Sequence, residues 1–571
     1  MAYPFMKSFN IESACRPNEH YMLPIFDRCP KINEMIDGKK YFLIHSPRQS
    51  GKTTVLKNLT NQINKDGKYY AVWCPLSRLT KISDDADAMN GVVSAIRTGL
   101  KTSSIPILKQ KYSEYQYVST LSEREKVDEF LYRLTTELDK ETILFFDEMD
   151  TLTGSPLYLF LSILKDFFDS RTSDPIMYPR SIALVGTKDI REALDKIIPE
   201  NELTGRPSPF NISPFSLTLP NFNIDEVEKL YAQHTQACDQ IFERNAIERA
   251  WHWSEGQPWL VNALANEVIA NQLNNDFSQN ITGENIDKAA YTLISSKLSH
   301  IQSLKNRFAE KRISKVLFAL FGGTKDLSEA VTSDDIQIVV DLGLVKMVQD
   351  NISGESAFHV SNPIYQSVIV KALTSPLQNA IPDEIVKPYI NSTSIDMKGL
   401  IASFQTYWQQ NSGMFTSSDF INKTINLSVR NAWKSLGIIR DNIMSKEFIK
   451  AFKKNFINAT NESLAHLVFF SFIQKLVNGG VDSVTREYAL GNSRADICII
   501  YNKRIYPIEL KIKGVSTYKH SIEQLHGYMD KCGADEGWLL IIDKDLDKPW
   551  TDKIRNAVEP YKGKTIHVFY C

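Results

Sequence analysis

Ser46-Pro47-Arg48-Gln49-Ser50-Gly51-Lys52-Thr53-Thr54 follows directly on the apolar run Tyr41-Phe42-Leu43-Ile44-His45 and opens a helix-forming stretch. Strand, glycine-bearing loop and helix, in that order, curl backbone N–H groups around a phosphate at a helix N-terminus. In such a Walker A loop the lysine reaches the β/γ oxygens and the following hydroxyl joins the Mg²⁺ shell. Gly51, Lys52 and Thr53 supply those parts, with Ser46, Pro47, Arg48, Gln49, Ser50 and Thr54 completing the loop. Ser46 stands where the motif has its first glycine.

Working outward, the second half of the site lies about 95 residues on, in Ile143-Leu-Phe-Phe-Asp147-Glu148. A continuous apolar strand ending in two acids has the Walker B form, with Asp147 in the Mg²⁺ shell and Glu148 orienting the attacking water. Alone, such a pair reads as a solvated strand end; with the loop it makes ATP and Mg²⁺ the expected cofactors and ATP hydrolysis the expected reaction. Around these motifs, 40–220 alternates short apolar runs (41–45, 70–74, 143–146, 182–185 and a weaker one at 215–219) with helical stretches at 54–65, 120–138 and 156–170. That alternation predicts an α/β domain with a parallel sheet, and 90–118 reads as a mostly helical insertion. From 224 to 300 amphipathic helices take over. In 311–373 two helices precede LVKMVQ, a turn and AFHV, the order of a winged helix or of a helical domain with an incidental hairpin. Pro376, Pro382 and Pro388 mark 374–395 as a linker. The expected domains are therefore 1–222 for the P-loop ATPase, 223–305 for a helical lid, 306–373 for the winged helix, and 396–571 beyond the linker.

The portion covering about 20–370 resembles the bacterial AAA-like ATPases of the AAA+/STAND class, through both Walker motifs, SIALVGTKD (181–189), SPFNISPFSLTLPNF (208–222) and EGQPWLVNALA (255–265). The resemblance implies that Thr187 or Lys188 stands at the γ-phosphate sensor and that Gly256-Gln257-Pro258 matches the G-x-P turn, with Pro258 near the nucleotide. Thr187 reads equally as a strand cap, and Gly256–Pro258 as a helix-start turn. Arg48, Arg180, Arg191 and Arg206 are all candidates for a γ-phosphate contact; one acting across subunits would require a homo-oligomer.

The last domain carries Arg494-Ala-Asp496 and the run to Tyr501, a turn at 502–504, then Ile505-Tyr-Pro-Ile-Glu509-Leu-Lys511-Ile-Lys513. Two apolar runs around a short turn pair as a hairpin that brings Asp496 and Glu509 together. Lys511, two residues after Glu509, falls on the same strand face. Carboxylate oxygens are the ligands a hard cation prefers, and such a cation lowers the pKa of water for phosphodiester hydrolysis. These charges interrupt otherwise apolar strands, where unpaired charge is unfavourable. The order of elements expected is helix 462–477, strands 484–490, 495–501 and 505–513, helix 518–531, strand 537–542, helix 550–558 and strand 565–570. Over 460–571 this resembles the PD-(D/E)XK nuclease superfamily, a restriction-endonuclease-like α/β fold, with Ala495 in place of the nominal proline. The resemblance implies Asp496 and Glu509 as ligands for Mg²⁺ or Mn²⁺, Lys511 as the catalytic lysine, Glu462 as the accessory helix acid and Gln524 as the polar residue of the following helix. A salt-bridged pair is the plainer reading of Glu509 and Lys511, and a solvated helix face that of Glu462 and Gln524. His466, His520 and His526 read as packing or surface residues.

Composition sets the outer bounds. The chain has 571 residues, 43% hydrophobic and 11% aromatic, with 66 Lys and Arg against 67 Asp and Glu; that is globular composition for several domains. Residues 396–571 hold 24 basic against 18 acidic side chains and the remainder 42 against 49, an asymmetry that suggests an anionic partner for the C-terminal portion. With no apolar run of about 18 residues, no signal-peptide pattern at the start and seven scattered Cys without a C-x-x-C pair, a soluble, cytoplasmic protein off the membrane is expected. The combined reading is an ATP-regulated, metal-dependent nuclease acting on nucleic acid, DNA before RNA, in defence or mobile-element processing. The rival is a non-cutting ATP-dependent switch whose C-terminal domain only binds nucleic acid or a protein.

Overall fold

The structure is a computed structural model and describes residues 6–24, 28–80, 82–114, 123–170, 178–187, 215–296, 298–308, 310–321, 331–349, 356–380, 389, 394–416, 468–473, 483–490, 493–501, 504–513, 518–543 and 548–571. The chain forms two compact units, 1–292 with 340–344, and 293–339 with 345–571. Among the described residues no helix is long and apolar enough to cross a membrane.

In the first unit, β1 (Tyr41–His45), β2 (Tyr70–Pro75), β3 (Thr142–Asp147), β4 (Ser181–Gly186) and β5 (Ser216–Thr218) form a wholly parallel sheet of order β2-β3-β4-β1-β5. Each inner strand is an unbroken apolar run because alternate residues go to opposite faces and both faces are covered. Tyr41, Leu43, Leu144, Phe146, Ile182 and Leu184 join a core with helices Asp85–Thr102, Glu123–Thr136 and Gly154–Ser170. Phe42, Ile44, Ile143, Phe145, Ala183 and Val185 join the other, with helices Pro30–Asp37 and Lys52–Asp66. The parallel α/β domain expected from the sequence is present, including the short strand near 216. Helices Ile224–Cys238, Arg244–Ser254 and Pro258–Asn266 follow; the first starts in a capping box between Asn223 and Glu226.

In the second unit, helices Ser299–Arg307, Lys311–Phe321 and Ser333–Asp341 are succeeded by the antiparallel pair β6 (Val345–Gln349) and β7 (Ser356–Val360). The expected linker at 374–395 is corrected at its start: helix Pro363–Ala380 runs through Pro376. A proline removes one N–H and kinks or ends a helix, and here the helix continues because it is already anchored by Ile364, Tyr365, Val368, Ile369 and Ala372, all buried. The C-terminal part is a mixed sheet of order β12-β13-β11-β10-β9-β8, from β8 (Ser483–Leu490), β9 (Ser493–Tyr501), β10 (Arg504–Ile512), β11 (Glu536–Ile542), β12 (Arg555–Tyr561) and β13 (Lys564–Tyr570). Helix Tyr518–Cys532 joins β10 to β11, which is parallel to it, and buries Ile522, Leu525 and Met529 against Leu539, Ile541, Ile566 and Val568. The expected helix 550–558 is a second correction. Only Trp550–Lys553 is helical, and β12 then pairs antiparallel with β13. The two-residue turn Lys562-Gly563 has φ of 48° and 83°, the left-handed pair that a tight hairpin needs. Without Asn-Gly or Asp-Gly there, the turn carries a weak sequence signal.

Candidate nucleotide and nuclease sites

The loop 46–51 leaves the C-terminal edge of the parallel sheet. Ser46 is buried, with its N–H donating to Gly186 O at 3.2 Å and its hydroxyl to Leu219 O at 3.4 Å. Gln49 at φ 62° and Gly51 at φ 86° bend the backbone into helix Lys52–Asp66. Ser50 Oγ is buried and meets no hydrogen-bond partner among the described residues, a donor that a bound phosphate would satisfy. Lys52 Nζ donates to Ser46 O at 2.6 Å and to Pro47 O at 2.8 Å. Burial lowers its pKa to about 8 against the pull of Asp150 and Asp147.

Strand β3 lies two positions from β1 in the sheet. Thr53 Oγ1 donates to Asp147 Oδ2 at 2.8 Å, and Trp73 Nε1 reaches the same oxygen at 3.2 Å. The N–H of Glu148 donates to Asp147 Oδ1 at 3.0 Å. A hydroxyl and a buried carboxylate in contact, beside an ammonium, are a donor set that fits Mg²⁺ and a triphosphate. Glu148 takes φ 63°, and the protein around it, followed by the Asp147 and Asp150 charges, raises its pKa.

Thr187, just beyond β4, is held by Asp150: its N–H lies 2.7 Å and its hydroxyl 2.6 Å from Asp150 Oδ2. A Cβ on Gly186 would fall 2.5 Å from Asp150 Oδ1, so glycine permits this approach. Pro258 is the first residue of its helix, its carbonyl accepting from Asn262 Nδ2 at 2.8 Å. The neighbouring Gln257 makes the contact to the loop instead, donating from Nε2 to Gln49 O at 3.0 Å. Arg180 is set aside as a γ-phosphate contact. It precedes β4 at the opposite end of the strands and donates to Ile36 O at 3.1 Å and Asp37 O at 2.8 Å. Lys188, Arg191 and Arg206 lie outside the described residues. Asp150 and Trp73 carry no motif in the sequence beyond a third acid three residues after Asp147, and Gln257 enters it only as the middle residue of the Gly256–Pro258 turn.

In the second unit, Glu509 and Lys511 sit two residues apart on β10. Glu509 is fully buried and ion-paired to the Lys511 ammonium. β9 and β10 are antiparallel, with Ile497 opposite Ile508. Asp496 precedes the one and Glu509 follows the other, immediately beyond the last pair of that ladder. Gln524 lies half-buried on helix Tyr518–Cys532, its amide bonded to the Tyr528 hydroxyl. His520 is exposed and His526 buried on that helix. Glu462 and His466 lie outside the described residues. Among the described residues no group of three or more His, Cys, Asp or Glu is arranged to hold a metal ion.

Comparison with known proteins gives three results. A family model described as a domain of unknown function, DUF8371, matches residues 430–545. No curated protein is similar enough to count as a relative. Among solved structures, the chain is similar at 14% identity to the Aeropyrum pernix ORC2 protein in its ADPNP–ADP complexes, over 64% of this chain and 96% of that one, with a TM-score of 0.39. It is similar at 13% identity to Cdc6p from Pyrobaculum aerophilum, over 64% and 96%, with a TM-score of 0.33. The Thermotoga maritima RuvB Holliday junction branch migration motor matches at 14% identity over 57% and 90%, with a TM-score of 0.32.

Proposed function

We propose that the chain is an AAA+-class ATPase carrying a metal-dependent nuclease domain, with ATP occupancy governing cleavage of nucleic acid, DNA in the first instance. The observation that carries the ATPase half is the contact of Thr53 with Asp147 beside the half-buried Lys52, which brings together two motifs 94 residues apart and supports reading them as one Mg²⁺–phosphate site. The sheet order, with β4 between β1 and β3 and Thr187 at its end, supports the AAA+ reading, with Thr187 facing the γ-phosphate. In the nuclease half, Asp496 and Glu509 would hold a hard cation that polarises the phosphodiester and activates water, and Lys511 would orient that water or meet developing charge. Glu462 and Gln524 are proposed as accessory groups.

A second reading is favoured by one observation. Glu509 is fully buried and already paired with Lys511, which is also how a structural ion pair in a non-cutting switch would look. The deciding experiment incubates the purified protein with plasmid, linear duplex, and single-stranded DNA and RNA, with and without ATP, Mg²⁺ and Mn²⁺. Metal-dependent cleavage that Glu509→Gln abolishes while ATP turnover persists supports the proposal. ATP turnover without cleavage under every condition, in wild type and Glu509→Gln alike, selects the switch.

A further inference from the structure

Gln257 does something the phosphate-binding motif does not specify. It is the N-cap of helix Pro258–Asn266 and only 7% exposed. Its Oε1 accepts from Leu260 N at 2.6 Å, so the helix itself fixes the orientation of the amide. The other end, Nε2, donates to Gln49 O at 3.0 Å, across 208 residues of chain. Gln49 lies in the middle of the loop at φ 62°, a left-handed conformation that a non-glycine side chain takes only when its surroundings impose it. With Gly51, at φ 86°, it bends the loop into helix Lys52–Asp66. Oxygen and nitrogen of the Gln257 amide are thus divided between two tasks, starting a helix and pinning a strained peptide.

We propose that Gln257 is a positioning residue of the nucleotide site: by bonding the Gln49 carbonyl it holds Gln49 left-handed, preforms the loop 46–51 and ties its shape to helix Pro258–Asn266. This rests on the ATP-binding reading above. The loop is then shaped before ATP arrives, and displacement of that helix releases it.

The test is calorimetric titration of the full chain with Mg²⁺–ATP, alongside thermal melts. Gln257→Ser retains a good N-cap oxygen but is too short to reach Gln49. It is expected to raise the Kd for ATP about three- to tenfold, the worth of one buried hydrogen bond, with the melting temperature lowered by no more than a few degrees. Gln49→Gly added to Gln257→Ser is expected to recover most of the affinity, since glycine takes the left-handed conformation without a partner. Unchanged affinity in Gln257→Ser, or no recovery in the double variant, reduces Gln257 to a helix cap and overturns the inference while leaving the ATP site standing. Wild-type protein that binds ATP no better than Lys52→Ala overturns the ATP reading itself, and this inference with it.

Discussion

Lys52 illustrates how one side chain can report on its ligand. Burial holds its pKa near 8, whereas a triphosphate beside the ammonium would raise it. Below that pH the lysine is charged with or without ligand, so affinity for ATP is flat; above it, binding must take up a proton, and affinity falls by up to about tenfold per pH unit. Calorimetry near pH 9 in two buffers of different ionisation enthalpy should show proton uptake, and a pH-independent affinity through that range would contradict the assignment. The three acids after β3 separate by role. Asp147→Asn is expected to weaken the Mg²⁺–ATP complex itself, whereas Glu148→Gln keeps ATP bound and slows hydrolysis by about a hundredfold or more. Asp150→Ala releases the three hydrogen bonds to Thr187 and should lower turnover about tenfold to a hundredfold at nearly unchanged ATP affinity. Equal effects of all three on ATP affinity would dissolve these distinctions.

At the scale of elements, the β12–β13 hairpin shows local chemistry overruled by pairing. Lys562 occupies a left-handed position that costs an L-residue about 1–2 kcal/mol, and it is tolerated because seven cross-strand residue pairs lock the register from Arg555–Tyr570 to Tyr561–Lys564. Lys562→Asn is expected to stabilise the protein by about 0.5 kcal/mol, because Asn tolerates that conformation. A Cβ on Gly563 would meet nothing within 4 Å, so the cost of Gly563→Val starts from backbone conformation, at roughly 1–2 kcal/mol or more for a β-branched residue at positive φ. Urea denaturation of the two variants checks both signs; stabilisation by Gly563→Val would exclude the turn type described.

At the scale of the whole molecule, the residues assigned to the two proposed chemistries fall in different compact units. Glu509→Ala and Lys511→Ala are therefore expected to remove metal-dependent cleavage while ATP turnover continues. Raised Mn²⁺ should partly restore the Glu509 variant, whose defect is metal occupancy, but not the Lys511 variant, whose defect lies in the reacting water or phosphate. Cleavage that survives the double variant, in protein shown free of contaminating nuclease, would end the nuclease assignment and leave the non-cutting switch.

The sequence by itself determined the parallel sheet, because strands covered on both faces must be apolar at every position, as in Ile143–Phe146, and that burial is written locally. It determined the loop between β1 and helix Lys52–Asp66 for the same kind of reason, since Gly51, Lys52 and Thr53 are contiguous. It determined the order of strands and helix from 483 to 542 through alternating runs and short turns. Only the tertiary structure decided what depends on partners far apart in the chain: Trp73 on Asp147, Thr187 on Asp150, and Gln257 on Gln49. Those contacts follow from which strands and helices become neighbours, and hydrophobic periodicity does not encode that choice. It decided β12 as well, because an edge strand exposed at Arg555–Val558 lacks the apolar alternation by which a half-buried strand shows itself.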